Sequence, residues 1–423
     1  MSQAFERISV IGLGYIGLPT AAMFASRRKR VIGVDCDPRV VETISNGRIH
    51  IVEPELDILV HAAVHEGFLT ATRTPEPADA FLIAVPTPFK EGHVPDLAYV
   101  KSATESIAPV LKKGDLVVLE STSPVGTTEQ LSAWLAEARP DLTFPHQDAA
   151  APDVHIAYCP ERVLPGKVVH ELVSNDRVIG GLTPACSARA RSLYEIFVTG
   201  ELVPSSSRAA ELTKLVENSY RDVNIAFANE LSMICDRLTI DPWEVIALAN
   251  RHPRVNILQP GAGVGGHCIA VDPWFIVHRT PEEARLIRTA REVNDHKPEW
   301  AVSKVRQAIG RVIERDSTRA PEQVTVAVLG LAFKPNIDDL RESPAVRIAE
   351  TLSSLPCKFD LVEPHVDRLP QRLSKHRLVE LDEALAEADV VVVLVAHRQF
   401  VDLPAKLRPS QQVVDVVGVL GQG

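Results

Sequence analysis

The segment from Ile8 to Asp35 limits what this chain can fold into more than any other stretch. ISVI (8–11) reads as a buried strand, GLGYIG follows at once, and an alanine-rich run from Leu18 to Ser26 reads as a helix with Pro19 in its first turn. RVIGVD then supplies a second strand that ends in Asp35. The count from Gly17 to Asp35 is 35 − 17 = 18 residues, close to the roughly 20 at which an acidic side chain meets the ribose hydroxyls of NAD. A GxGxxG triplet alone says little. In this order it marks a dinucleotide-binding unit, with the pyrophosphate held by the helix N-terminal amides and dipole. Gly12, Gly14, Tyr15, Ile16, Gly17 and Asp35 are therefore expected to bind NAD, and a carboxylate at position 35 disfavours the 2′-phosphate of NADP.

The strand signals continue. FLIAV (81–85) and DLVVLE (115–120) each run into a polar or proline-rich loop, PTPF or STSPVGTT. In a doubly wound sheet such loops lie at the carboxyl ends of strands, which puts Thr87, Glu120 and Thr122 where cofactor or substrate binds. Thr127 and Gln130 read as a capping box for the next helix. Residues 140–153, rich in Pro, Ala and Asp, read as a surface loop. HIAY then leads into CPERVLPG, beyond another strand end. There Glu161 either orients a water or belongs to a surface ion pair.

Ser205 to Ser207 cap a helical segment that runs to about Leu238. Lys214, Asn218 and Arg221 are spaced by four and three, so they share one face. The apolar residues around them favour a buried polar face lining a site over a solvated stripe. Asp241, Pro242 and Glu244 open the next helix, Thr280, Pro281 and Glu283 the one after, and a further helix runs from Pro298 to Arg315. A second α/β unit begins at VTVAVLGLAFK and partly repeats the first. Ala332 stands where a second fingerprint glycine would be, so this unit is expected to bind a nucleotide in another manner, with Lys334 and Arg341 as phosphate partners.

GAGVGGHCIAVDP (261–273) is the stretch most suggestive of chemistry. Gly261, Gly263, Gly265 and Gly266 let backbone approach a ligand or take positive φ, and Cys268 is followed by Asp272 four residues later. A thiol with the ordinary pKa of about 8.5 is mostly protonated at pH 7, so a catalytic Cys268 needs a nearby cation or helix terminus. Taken alone, a cysteine beside a glycine turn is more commonly a small buried hydrophobe. His252 and Arg254 precede this stretch and supply positive charge.

At 423 residues the chain is too long for one ordinary core, and two or three domains are expected. A net charge of −10 argues against a general nucleic-acid binder, and Arg27 to Arg30, the only dense basic run, reads as cations at a helix C-terminus. No N-terminal apolar segment resembles a signal peptide. The longest apolar run, Val390 to Ala396, suits a buried parallel strand rather than a membrane span. The six cysteines show no CxxC spacing, which points to reduced thiols, a cytoplasmic setting and no metal site.

IGLGYIGLPTA, ESTSPVGTT, YCPERVLPG, the Lys214 and Asn218 helix, NRHPRVN, GGHCIAVDPW and GLAFKPNIDDLRESPA together resemble the UDP-sugar 6-dehydrogenase family over nearly the whole chain. The resemblance implies an α/β fold of two Rossmann-like domains with parallel sheets, joined by a central helical region that forms a homodimer. The implied boundaries are 1–203 for NAD binding, 204–297 for the helical region with catalytic residues, and 298–423 for UDP-sugar binding.

The implied reaction is a four-electron oxidation of a sugar C6 alcohol to a carboxylate with two NAD and one water, in the synthesis of bacterial surface polysaccharide. By resemblance Cys268 forms a thiohemiacetal and then a thioester, and Lys214 with Asn218 acts on the C6 oxygen. Asp272 assists proton transfer, while Glu161 and Thr122 position the water. Arg162, Val163, Lys214, Asn218, Arg221, His252, Arg254, Gly265, Phe333 and Lys334 contact the UDP-sugar, and Thr87, Thr122 and Arg341 the cofactor. The chain departs from the family near its end, where Asp415, Val416, Val417 and Gly418 replace a context that usually carries a basic residue. Which UDP-sugar is oxidised stays open, with glucose and N-acetylglucosamine as rivals. A catalytically silent binder would need none of Cys268, Lys214 and Asp272.

Overall fold

The structure is a computed structural model that describes residues 5–421 apart from 165, 267 and 317. The chain divides into two compact units, Met1–Glu217 and Asn218–Gly423.

In the first unit, β1 (Arg7–Ile11), β2 (Arg30–Val34), β3 (Leu69–Thr72) and β4 (Ala80–Ile83) precede a small hairpin of β5 (Phe89–Lys90) and β6 (Val94–Pro95). Then come β7 (Leu116–Leu119), β8 (His155–Tyr158), β9 (Arg177–Gly181) and β10 (Leu202–Ser206). The helices are α1 (Gly17–Ser26), α2 (Pro38–Ser45), α3 (Leu56–His65), α4 (Ala98–Ile107), α5 (Thr127–Ala138), α6 (Val168–Ser174), α7 (Pro184–Tyr194) and the start of α8 (Ser207–Leu238). The large sheet has the order β10-β9-β8-β7-β4-β1-β2-β3. Ile8 and Val10 of β1 pack into the core that contains α1, and Ile11 packs into the core on the other side. A sheet apolar on both faces is the reason the strands read as unbroken hydrophobic runs.

The expected parallel pairing holds along this sheet except that β9 runs antiparallel to β8. A helix that recrosses a five-residue strand of roughly 16 Å needs about eleven residues. The seven of α6 are too few, and the chain between these strands is mostly loop.

In the second unit, α9 (Pro242–Ala249), α10 (Asp272–Arg279) and α11 (Arg285–Arg315) follow α8. The strands are β11 (Thr325–Leu329), β12 (Lys358–Val362), β13 (Arg377–Leu378), β14 (Val390–Val393) and β15 (Gln412–Asp415), with α12 (Pro344–Leu352), α13 (Leu381–Glu387) and α14 (Leu403–Lys406). The sheet order is β13-β12-β11-β14-β15, with every pair parallel. Asp241 caps α9 as expected, accepting from the Trp243 amide at 3.0 Å.

Two expectations fail here. Thr280 ends α10 instead of opening a helix, and α11 runs straight through Pro298 instead of starting there. Proline removes the amide that would bond the Asn294 carbonyl. The backbone of Gly263 lies against that carbonyl: an ideal Cβ on Gly263 would sit 3.3 Å from both Asn294 O and Pro298 Cδ. Sequence around the proline gives no hint of that distant neighbour.

Among the described residues no helix is long and apolar enough to cross a membrane.

Candidate active site

In the first unit the chain leaves β1 at Ile11 and enters α1 at Gly17, so the fingerprint is the turn itself. A Cβ on Gly17 would lie 1.8 Å from the Gly12 carbonyl oxygen, whereas one on Gly14 would meet nothing within 4 Å. The turn is closed at Gly17 and open at Gly14, which leaves a backbone cradle at a helix N-terminus of the kind that fits a pyrophosphate. Tyr15 is exposed at its rim and Ile16 is half-buried at the helix start. The cradle sits where the strand order reverses, between β1 and β4. Asp35, at the end of β2, accepts from the Leu13 amide at 3.0 Å and the Asp37 amide at 2.9 Å. It is half-buried, with carboxylate lone pairs left for ribose hydroxyls. The residues present fit NAD.

Around the same sheet end the Thr87 hydroxyl donates to the Thr122 carbonyl at 2.6 Å, so these two loop residues are brought together. Glu120 is not at the ligand surface. It is 2% exposed, takes the Tyr194 hydroxyl at 2.6 Å, and burial pushes its carboxyl up to about 7. Its inward turn follows from its place in the pleat, which a loop-based reading does not resolve. Glu161 is neither solvent-exposed nor in a surface pair: it is buried and bonded to Arg177 at 2.7 Å. Arg162 lies 3.2 Å from Glu217, and Val163 packs half-buried on the core. Lys214 is half-buried one turn ahead of Asn218 on α8.

The second unit carries the thiol. Cys268 is exposed, and its carbonyl accepts the amides of Val271 at 3.0 Å and Asp272 at 2.9 Å, a tight turn that leads straight into the N-terminus of α10. Asp272 is 3% exposed, and the Asn218 side-chain amide donates to it at 2.5 Å. The glycines ahead of the cysteine are needed for contact. A Cβ on Gly265 would lie 2.6 Å from Glu342 O, 2.7 Å from Pro344 Cδ and 2.9 Å from Phe333 Cβ. The strip before Cys268 is therefore pressed against the β11 to α12 loop, and Gly265 and Phe333 are brought together.

Lys334 is exposed on that loop. Arg341 holds Asp339 in a two-point ion pair at 2.9 and 2.6 Å. Arg221, His252 and Arg254 are exposed, and the Arg254 amide donates to His252 Nδ1 at 3.3 Å. Val417 packs half-buried against the core beside β11 and β14. Apolar packing thus stands where the resemblance leads one to expect a cation.

Several supporting residues escaped the sequence reading. Glu211 of α8 accepts from the amides of Gly126 (2.6 Å) and Thr128 (2.8 Å), capping α5 from 85 residues away, so the Thr127 and Gln130 capping box is not used. Glu53 accepts from the Gly166 and Val168 amides at 2.9 and 2.8 Å, tethering the CPERVLPG loop. Asn229 accepts from the Gly261 amide at 2.9 Å and anchors the glycine strip to α8. A partial signal existed. Glu211, Asn218, Asp222 and Asn229 are spaced seven, four and seven, the period of one helix face, and all are buried.

A dinucleotide cradle at one sheet's switch point, and an exposed cysteine on a glycine strip beside a second Rossmann-like loop, define an NAD-dependent oxidoreductase of the two-sheet kind. The chain belongs to the UDP-glucose/GDP-mannose dehydrogenase family: residues 6–198 match its NAD binding domain, 208–296 its central domain and 327–422 its UDP binding domain. NAD is its cofactor. It is 63% identical to the UDP-N-acetyl-D-mannosamine dehydrogenase of Escherichia coli over 98% of this chain and 99% of that one. It is 59% identical to an NDP-N-acetyl-D-galactosaminuronic acid dehydrogenase of Ralstonia nicotianae over 98% of this chain and 96% of the other. The native structure of the UDP-N-acetyl-mannosamine dehydrogenase of Staphylococcus aureus superposes with a TM-score of 0.83 at 39% identity, covering 99% of this chain and 96% of that one.

Proposed function

We propose that this enzyme oxidises UDP-N-acetyl-D-mannosamine at C6 to the uronate through a covalent intermediate on Cys268, in the cytoplasm and for surface polysaccharide. The observation that carries the reading is Cys268 itself, exposed on a turn that enters the N-terminus of α10, with Asp272 and Asn218 paired at 2.5 Å one turn on. A helix N-terminus favours negative charge on a nearby sulfur. Two NAD, bound in turn at the cradle of Gly12, Gly14, Gly17 and Asp35, would each supply the hydride acceptor for one of the two oxidations.

Lys214 takes the proton of the C6 hydroxyl as the alcohol becomes an aldehyde. The Cys268 sulfur then adds to the aldehyde carbon, and Lys214 and Asn218 stabilise the resulting oxygen. Loss of hydride and a proton from that thiohemiacetal leaves a thioester. A water held by Glu161 and Thr122 adds to it, the C–S bond breaks, Asp272 assists return of the proton to sulfur, and the carboxylate leaves. Arg162, Val163, Arg221, His252, Arg254, Gly265, Phe333 and Lys334 hold the UDP-sugar in this reading. Arg341 reaches the cofactor in the same reading. The 298–423 segment then forms the UDP domain and 204–297 the helical centre.

Two NADH per UDP-N-acetyl-D-mannosamine, with little free aldehyde, is the expected stoichiometry. A yield of one would end the covalent scheme. The Ralstonia relative favours a second reading, the galacto sugar, since the two sugars differ only in configuration at C2 and C4 and only transition-state contacts separate them. A panel of these two sugars with UDP-N-acetylglucosamine and UDP-glucose should give the manno sugar the highest kcat/KM.

The assembly proposed is a homodimer through α8. Leu212, Val216, Tyr220, Phe227, Ile234 and Leu238 of that helix are exposed although they are large and apolar, while Glu211, Asn218, Asp222, Asn229 and Ser232 are buried. A helix turned inside out in this way needs a second apolar surface to cover it. Sedimentation at micromolar concentration should give twice the chain mass, and a monomer would refute the pairing.

A further inference from the structure

Behind the end of β8 lies a cluster of ionisable side chains of which the proposed reaction uses only Glu161. The Arg177 side chain, at the start of β9, is 4% exposed, and its Nη2 donates to Glu161 Oε2 at 2.7 Å. The other oxygen, Oε1, accepts from the Arg162 amide at 2.7 Å. Both oxygens of Glu161 are held, which gives the carboxylate a single orientation. The guanidinium is fixed in turn. Its carbon lies 4.8 Å from the centre of the Tyr194 ring and 5.6 Å from that of Phe197, with Nη1 3.9 Å from Cys159 Sγ.

What surrounds Arg177 decides how its charge is used. The Tyr194 hydroxyl donates to Glu120 Oε1 at 2.6 Å, and Glu120 Oε2 is buried with no hydrogen-bond partner among the described residues. Burial pushes the Glu120 carboxyl up to about 7, the Cys159 thiol to about 12 and the Tyr194 phenol well above 10. Below neutrality Glu120, Cys159 and Tyr194 are thus uncharged, and the Arg177 guanidinium faces Glu161 without a competing anion.

We propose that Arg177 is a positioning residue for this reaction. Its ion pair, with the Arg162 amide on the other oxygen, fixes the Glu161 carboxylate at the end of β8, and the Tyr194 ring, bonded to Glu120, backs the guanidinium. The proposal rests on the reading that Glu161 positions the water that hydrolyses the thioester.

The full-length enzyme, assayed with NAD and UDP-N-acetyl-D-mannosamine by rapid mixing, separates the two. Glu161→Gln should keep a burst of two NADH per site and lose steady-state turnover. Arg177→Lys keeps the charge but not the fork, so it should leave the burst intact and lower kcat about ten- to hundredfold while kcat/KM changes by less than about threefold, since slowing only the hydrolysis lowers KM together with kcat. In the Glu161→Gln background Arg177→Lys should change kcat by less than about twofold, because the group it positions is gone. A general structural role would instead slow the burst, raise KM and add to Glu161→Gln, which overturns the proposal alone. Full turnover by Glu161→Gln overturns the reading of Glu161 and the proposal with it. If Arg177→Lys does not fold, Arg177→Met combined with Glu161→Gln removes cation and anion together. That pair should match Glu161→Gln alone within about twofold, and a deeper loss would overturn the proposal.

Discussion

The two Rossmann-like units share a frame and differ in what hangs from it. In the first, the Gly12 amide donates to Val34 O at 2.8 Å, and in the second the Gly330 amide donates to Val362 O at 2.8 Å. The Ala84 amide bonds Ile11 O at 2.8 Å, as the Leu394 amide bonds Leu329 O at 2.9 Å. An acid closes each turn: Asp35 takes the Leu13 amide at 3.0 Å and Glu363 the Leu331 amide at 2.7 Å. Beyond that the units part. Helix α1 starts 17 − 12 = 5 residues after its glycine, while α12 starts 344 − 330 = 14 residues after Gly330, with Pro335 at the register of Gly17. The first turn offers a helix end to a pyrophosphate, and the second replaces it with a long loop that presses on the strip before Cys268.

The acids have diverged as well. Asp35 is half-buried and has capacity left, whereas Glu363 is 3% exposed and also accepts from the Ala332 amide, the His365 amide and His397 Nε2. The Asn336 amide donates to His397 Nδ1, which assigns the ring proton to Nε2. One strand-end acid is open to a ligand. The other is spent on holding its own loop.

Breaking the first turn should have the largest effect. Gly17→Ala puts a methyl group 1.8 Å from the Gly12 oxygen, so the turn must reopen. NAD affinity should fall more than about a hundredfold, roughly 3 kcal/mol, while UDP affinity stays the same. Calorimetric titration of both ligands checks this. A tenfold loss or less would mean that the cradle tolerates a different turn.

Glu363→Gln probes the other acid and should act on stability instead. Removing the charge from a carboxylate with several buried donors costs about 2 to 3 kcal/mol. Burial alone would raise this carboxyl, but His397 and the Leu331 and Ala332 amides hold it below its ordinary value. The stability it contributes is present above the unfolded pKa and is lost as pH falls through the lower, folded one. The melting temperature of the variant should lie below that of the wild type at pH 7, with the gap closing in acid. An unchanged melting temperature with weaker NAD binding would assign Glu363 to a ligand.

The shared frame was legible because it is local: strand, glycine spacing and acid lie within about thirty residues, and hydrophobic period and turn chemistry are short-range signals. Cys268 and Asp272 were legible for the same reason. Glu211, Glu53 and Arg177 were not, since their partners are 85, 115 and 16 residues away and the sheet topology alone joins them. Helix α11 crosses Pro298 beside a glycine 35 positions earlier, which no local propensity describes. Glu120 sits one residue from a loop, and a one-residue step in the pleat separates a ligand-facing carboxylate from a buried one.

The smallest effect, and the sharpest contrast with Glu363, is expected at Glu120. Both are buried glutamates beside a sheet, yet burial wins at Glu120, whose carboxyl rises from 4.5 to about 7 despite Arg177 and the Tyr194 hydroxyl. Between those pH values the folded chain keeps a proton that the unfolded chain has released, so stability falls as pH rises, by at most about 3 kcal/mol in total, and is level above the upper value. Glu120→Gln carries no such proton. Its melting temperature relative to the wild type should therefore become more positive from pH 5 to pH 8, whereas that of Glu363→Gln falls only as pH rises through the acid range up to about 4.5 and is level from pH 5 to pH 8. Calorimetric melts of both variants over that range decide it. Parallel trends would mean that Glu120 is ionised in the fold, sharing Arg177 with Glu161 and leaving the guanidinium two carboxylates to serve.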